Sequence, residues 1–158
     1  MDLNDVNVNI VMCKNVGPNR TYENVFNTIK LGENSRISFC IVTFINLINK
    51  DMHFGIVYRL EKVNDGSNVI LSYDEYKIIA DEEDKKEKME SSMDYRKYNQ
   101  VYLPGKGEYI VQVYLINHDE VEKINSSDTD IFSENRRKAI EEIVLDKKYA
   151  CGYSFVVE

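Results

Sequence analysis

The residues of this chain that could do chemistry are two histidines, three cysteines and a surplus of carboxylates. His53 and His118 are far apart in the chain and no Cys-x-x-Cys pair is present, so the usual zinc-ligand spacings are missing and no metal site is expected. Cys13, Cys40 and Cys151 each sit inside an apolar run. An odd, well-separated set with no histidine beside it reads as buried reduced thiols, neither a disulfide framework nor activated nucleophiles. Asp128-Thr129-Asp130 offers oxygen ligands at alternate positions but lacks the glycine and distal glutamate of a calcium loop, so it reads as turn chemistry. His118-Asp119-Glu120 reads as a polar loop at a strand end. The carboxylate pairs Glu82/Glu83 and Glu141/Glu142 fall in segments expected to be solvated, and Glu61 and Glu108, within strand runs, are expected to face outward. No glycine-rich phosphate loop follows a strand, and no Gly-x-Ser-x-Gly elbow occurs. The expectation is therefore no catalytic residue, no cofactor and no metal.

Binding chemistry is better represented. The chain has 11 tyrosines and no tryptophan. Tyr98, Tyr102 and Tyr114 fall opposite the inward alternation of Leu103, Val113 and Leu115, so they are expected at the surface, where amphipathic rings anchor interfaces. Net charge is −7, from 27 acidic against 20 basic residues. Segment 119–146 carries nine acids against four bases, with Glu134, Glu141, Glu142 and Asp146 as a candidate acidic docking set. A net negative chain disfavours direct binding to nucleic acid or an anionic membrane.

Two functions are consistent with these residues. The first is a non-enzymatic protein-binding or scaffold module that uses a Tyr-rich sheet surface and loops. The alternative is an acidic inhibitor from a phage or mobile element, blocking a basic nucleic-acid-binding defence protein. Either implies a protein partner, and an uncovered edge strand would allow a homodimer.

The elements that would position these residues are mostly strands. Val6, Val8, Ile10 and Met12 alternate with Asn7 and Asn9, as in a half-buried strand. Segment 22–31 reads as a second strand. Segment 36–48 is apolar on both faces, which predicts a central strand. Met52, Phe54, Ile56, Tyr58 and Leu60 face inward along the next one, and Asp65-Gly66 turns it into a hairpin with a strand over 69–73. Segment 81–97, a mixed-charge run, is expected as a mobile charged loop. A strand over 98–103 precedes the turn Leu103-Pro104-Gly105-Lys106-Gly107-Glu108-Tyr109, and Tyr109, Val111, Val113 and Leu115 then share one strand face. Ser133 caps a helix over Glu134–Leu145 within an acidic helical insertion at 117–148, and a strand over 149–157 closes the chain.

These elements predict a single mainly-β domain over 1–158, an antiparallel β-sandwich of Ig-like or jelly-roll-like type. It has about eight strands and one short helical insertion. The acidic N-terminal residues are unlike a signal peptide, no apolar run approaches a membrane span, and a cytoplasmic setting is expected. The abundance of Asn, Lys, Ile and Tyr suggests an AT-rich bacterial or phage gene. Several pieces in order resemble a family of small bacterial proteins known only as a domain of unknown function. They are the strand Asn9-Ile10-Val11-Met12-Cys13, the unit Phe26-Asn27-Thr28-Ile29, the hairpin turn Asp65-Gly66, and the turn-strand unit 103–109. The resemblance leaves out 81–97 and 117–148, and Gly-Pro-Asn stands at the second turn where the family has a Gly-Lys run. It implies a β-sandwich in a cytoplasmic setting, and no activity.

Overall fold

Alternating apolar residues build nine strands in the computed structural model, which describes residues 3–48, 50–79, 89–127, 130 and 133–158. They are β1 Val6–Val16, β2 Tyr22–Val25, β3 Thr28–Ile29, β4 Arg36–Ile48, β5 Met52–Lys62, β6 Asn68–Ile78, β7 Met89–Tyr102, β8 Gly107–Ile116 and β9 Cys151–Val157. Helices α1, His118–Ser127, and α2, Glu134–Leu145, lie between β8 and β9. The strands form a four-stranded sheet, β2-β1-β4-β7, and a five-stranded sheet, β3-β9-β8-β5-β6. All pairings are antiparallel except β3 with β9. This is the expected mainly-β sandwich with a short helical insertion. No helix among the described residues is long and apolar enough to cross a membrane.

The two sheets face each other through the residues whose period-two spacing predicted an inward face. Val8, Ile10 and Met12 of β1 and Phe39, Ile41 and Ile45 of β4 meet Phe54 and Ile56 of β5, Tyr109, Val111 and Val113 of β8 and Phe155 of β9. A buried polar contact joins the sheets inside this core: Thr43 Oγ1 and Tyr58 OH lie 2.7 Å apart. The turn before β8 needs its glycines, because Gly105 and Gly107 take φ of 88° and 138°, where a β-carbon is strained. Tyr109 OH closes it by donating to the Gly105 carbonyl at 2.6 Å.

A second apolar layer covers the outer face of the five-stranded sheet. Val57, Tyr114 and Ile116 pack against Val121 and Ile124 of α1 and Ile140 and Val144 of α2. The insertion is thus two helices, with α1 where a polar loop was expected. Segment 22–31 is two short strands, β2 and β3, rather than one. Of the segment expected as a mobile loop, residues 89–97 belong to β7, paired with β4, and 80–88 lie outside the described residues. Asp128 and Thr129 of the turn-like acidic motif also lie outside them. The three cysteines are free thiols. Cys13 and Cys40 are buried opposite each other in the β1–β4 register.

Two of the three tyrosines expected at the surface are buried. Tyr102 is 58% exposed, but Tyr98 is 9% and Tyr114 1% exposed. The alternation assigned Tyr114 to the correct face, and the helices then cover that face. Tyr98 is turned inward by a bulge: β7 spends one extra residue between the partners of Ile37 and Phe39, and Gln100 takes φ of 54°. That extra residue inverts the side-chain parity upstream, so Tyr98 stacks on Phe39 with ring centroids 5.5 Å apart and its hydroxyl lies 2.6 Å from Ser72 Oγ. Of the three, Tyr102 alone stays at the surface.

Candidate metal centre

The outer face of β5 carries His53, Gly55, Val57 and Arg59, the residues that alternate with the core set. On the neighbouring β6, Glu75 lies opposite Gly55 and Tyr73 opposite Val57. The third element is α1, which starts at His118 because Asn117 and Glu120 cap it reciprocally. Glu120 N donates to Asn117 Oδ1 at 2.9 Å, and Asn117 N donates to Glu120 Oε1 at 3.1 Å. Val121 and Ile124 anchor the helix in the apolar layer. His118, Glu122 and Asn125 recur at i, i+4 and i+7, so they share one helix face, and their contacts show that it is turned toward β5 and β6.

The result brings the two histidines together. His53 Nδ1 and His118 Nδ1 are 2.6 Å apart, with ring centroids at 4.8 Å and planes 58° apart. Glu122 Oε1 lies 3.9 Å from His53 Nδ1. Ligand atoms of His53, His118 and Glu122 all fall within 4.8 Å of one another. Behind them, His53 Nε2 contacts Glu75 Oε1 at 2.5 Å, and Glu75 Oε2 accepts from Asn125 Nδ2 at 3.3 Å. The hydrogen bond to His53 holds the Glu75 carboxyl below its ordinary range.

A carboxylate on Nε2 holds a proton there, so in the neutral ring the Nδ1 lone pair of His53 faces His118 and Glu122. A cation at this cluster would take the place of the contact between the two Nδ1 atoms. Two bonds of about 2.0 Å at a tetrahedral ion put the nitrogens about 3.3 Å apart, so the rings would part by less than an ångström while Glu122 closes in.

Beside this cluster Tyr73 reaches across β5 into the space left by a missing side chain. A β-carbon on Gly55 would stand 2.6 Å from Tyr73 Cε2 and 3.2 Å from its hydroxyl oxygen. That oxygen is buried with no hydrogen-bond partner among the described residues. Burial, followed by the Glu75 charge, pushes the phenol up to about 12.

The residues proposed from the sequence are elsewhere. Tyr102 lies at the opposite end of β7 from the charged segment, beside Pro104 and Tyr109. Glu134, Glu141, Glu142 and Asp146 are exposed on and after α2, where Lys138 lies 3.7 Å from Glu134 and Arg137 lies 3.7 Å from Glu141. The α2 surface is thus mixed in charge rather than a uniform acidic face. The histidine pair was dismissed on chain distance, which the β5–β8–α1 path makes irrelevant. A signal for it existed in the sequence: Asn117-x-x-Glu120 ahead of Val121 and Ile124 is a capping box opening an amphipathic helix, which puts His118 at the helix start and Glu122 one turn on.

No family model matches the chain, and no curated protein does. Among solved structures it is similar to the Pseudomonas fluorescens alkylpurine DNA glycosylase AlkC bound to DNA containing an abasic site analog, with 10% identity and a TM-score of 0.46. The similarity covers 98% of this chain and 30% of that one, so this chain spans less than a third of the glycosylase. That neighbour is a DNA-bound enzyme, unlike the expected protein-binding or scaffold module, its acidic-inhibitor alternative and a partner set without direct nucleic acid, and a likeness at this score decides none of these for this chain. At this identity and score the likeness assigns the chain no substrate.

Proposed function

We propose that this protein binds one divalent transition-metal ion through His53 Nδ1, His118 Nδ1 and a Glu122 carboxylate oxygen. The observation that carries the reading is the convergence of two imidazole nitrogens to 2.6 Å, with one of the rings oriented from behind by a carboxylate. Two nitrogens and one oxygen suit zinc or a neighbouring first-row ion, whereas calcium and magnesium seek shells of oxygen. Three protein ligands leave a position for water. That is the composition of zinc sites in which the ion acts as a Lewis acid and acidifies its water, so the function supported is metal-assisted chemistry at a site on the sheet-helix border. Glu75 and Asn125 complete the outer shell, and Glu75 keeps His53 in the tautomer that can bind.

Zinc titration in competition with a chromophoric chelator tests this, with cobalt(II) absorption reporting geometry. One equivalent is expected to bind and to give the intense visible bands of a tetrahedral cobalt site. His53→Ala or His118→Ala should cost more than about 100-fold in affinity, and Glu75→Gln, acting through His53, about 10- to 100-fold. Zinc affinity weaker than about 1 mM, or equal affinity in the double histidine variant, would overturn the assignment.

A further inference from the structure

A separate cleft of about 850 Å³ runs along β6, the edge strand of its sheet, beneath the first turns of α2. Its charged walls are Asp74, Arg96, Glu134, Arg136 and Arg137, beside Tyr73 and Ser133, and Ile70 and Ile140 give it an apolar side. Three guanidinium groups therefore gather in one cleft of a chain whose net charge is −7. Their acidic neighbours are already engaged. Asp74 pairs with Arg96 at 2.5 Å and Glu134 with Lys138 at 3.7 Å. Burial outweighs Arg96 and holds the Asp74 carboxyl above its ordinary range, as expected of a group shielded from water.

Arg136 is the distinctive member. Its guanidinium lies over the Tyr73 ring, 5.5 Å from the centroid, close enough for its charge to act on the Glu75 carboxyl, and among the described residues no acceptor lies within hydrogen-bond distance of it. Stacking uses the face of a guanidinium and leaves its five in-plane N–H donors available, in a fork that matches phosphate oxygens. Arg137, one residue on, is exposed and holds Glu141 only at 3.7 Å.

We propose that this cleft binds a phosphate-bearing ligand with a flat or apolar body, of nucleoside monophosphate size, with the phosphate on Arg136 and Arg137 and the body against Ile70, Ile140 and the Tyr73 side. The volume suits a small ligand. The proposal rests on different residues from the metal reading.

Calorimetric titration with AMP at low salt tests it, on chelator-treated protein so that failure of the metal site and of this one are told apart. AMP is expected to saturate, and Arg136→Ala with Arg137→Ala to weaken it about tenfold or more. Lys106→Ala, in the turn before β8 and outside the cleft, should leave affinity unchanged. Inorganic phosphate should compete weakly and adenosine more weakly than AMP. A single-stranded oligonucleotide that binds with the same arginine dependence would identify the phosphate source as nucleic acid, and binding of AMP alone would identify a free nucleotide. The proposal is overturned if AMP does not saturate below about 10 mM, if the arginine variant binds as tightly as the parent while retaining its circular dichroism, or if adenosine binds as well as AMP.

Discussion

Tyr73 holds a buried phenol oxygen that meets no donor or acceptor among the described residues, and the reason is geometric: Gly55 lets the ring lie against β5, next to Ile116. A desolvated, unpaired hydroxyl costs about 1–3 kcal/mol. Tyr73→Phe is therefore expected to raise stability by about 1 kcal/mol in urea unfolding, with the Arg136 stacking surface kept. Gly55→Ala should act in the opposite direction, because its β-carbon would meet the ring at 2.6 Å. Its cost of about 1–3 kcal/mol should shrink in a Tyr73→Ala background, a coupling that a double-mutant cycle reads directly. At this scale the sequence is least legible. The capping box marks where His118 stands on α1, but nothing beside His53 points to its partner, since the contact is made by a strand pairing and a helix start. The cysteines, by contrast, could be read from their apolar surroundings, and they are free thiols within strands.

Elements were legible where one face of a strand is buried and its register regular. The inward residues of β1, β5 and β8 fell where alternation put them, and Ser133 caps α2 by accepting from Arg136 N at 3.1 Å. Alternation failed in β7, because a single bulged residue at Gln100 reverses every side chain beyond it and no local composition announces it. It was insufficient in β8, because period two distinguishes the faces without saying which of them another layer will cover. The start of α1 sets where His118 and Glu122 stand. Asn117→Ala should cost about 1 kcal/mol of stability. It should also weaken zinc binding without touching a ligand, through a helix start no longer pinned by Glu120. Glu120 also accepts from Lys147 Nζ at 2.6 Å, which ties the first turn of α1 to the segment after α2. Lys147→Met is expected to lower both readouts in parallel.

At the scale of the molecule, tyrosines and cysteines dominate the alkaline response. Burial raises Tyr73 to about 12 and Cys151 to about 11, and lifts Tyr58, Tyr76, Tyr98, Tyr114 and Cys13 above their ordinary values. The folded chain thus holds these protons more tightly than the unfolded one. That contribution to stability is complete below the unfolded values of 9.0 for a thiol and 10.0 for a phenol, and is lost as pH rises through the folded ones. The urea midpoint should therefore fall steadily above pH 9.0. Tyr73→Phe should make that fall shallower.

The parallel pair β3–β9 joins Thr28 to Val156 and Ile29 to Val157, and it has a consequence for how the molecule comes into being. The second sheet takes its edge strand β3 from before β4 and seats it on β9, far along the chain. During synthesis β1 and β4 can pair early, and Phe26 N can already donate to the Met12 carbonyl, but β3 has no strand partner until residues 151–157 have emerged. Ile29, a core residue in the finished fold, therefore waits for β9 to complete its side of the sheet.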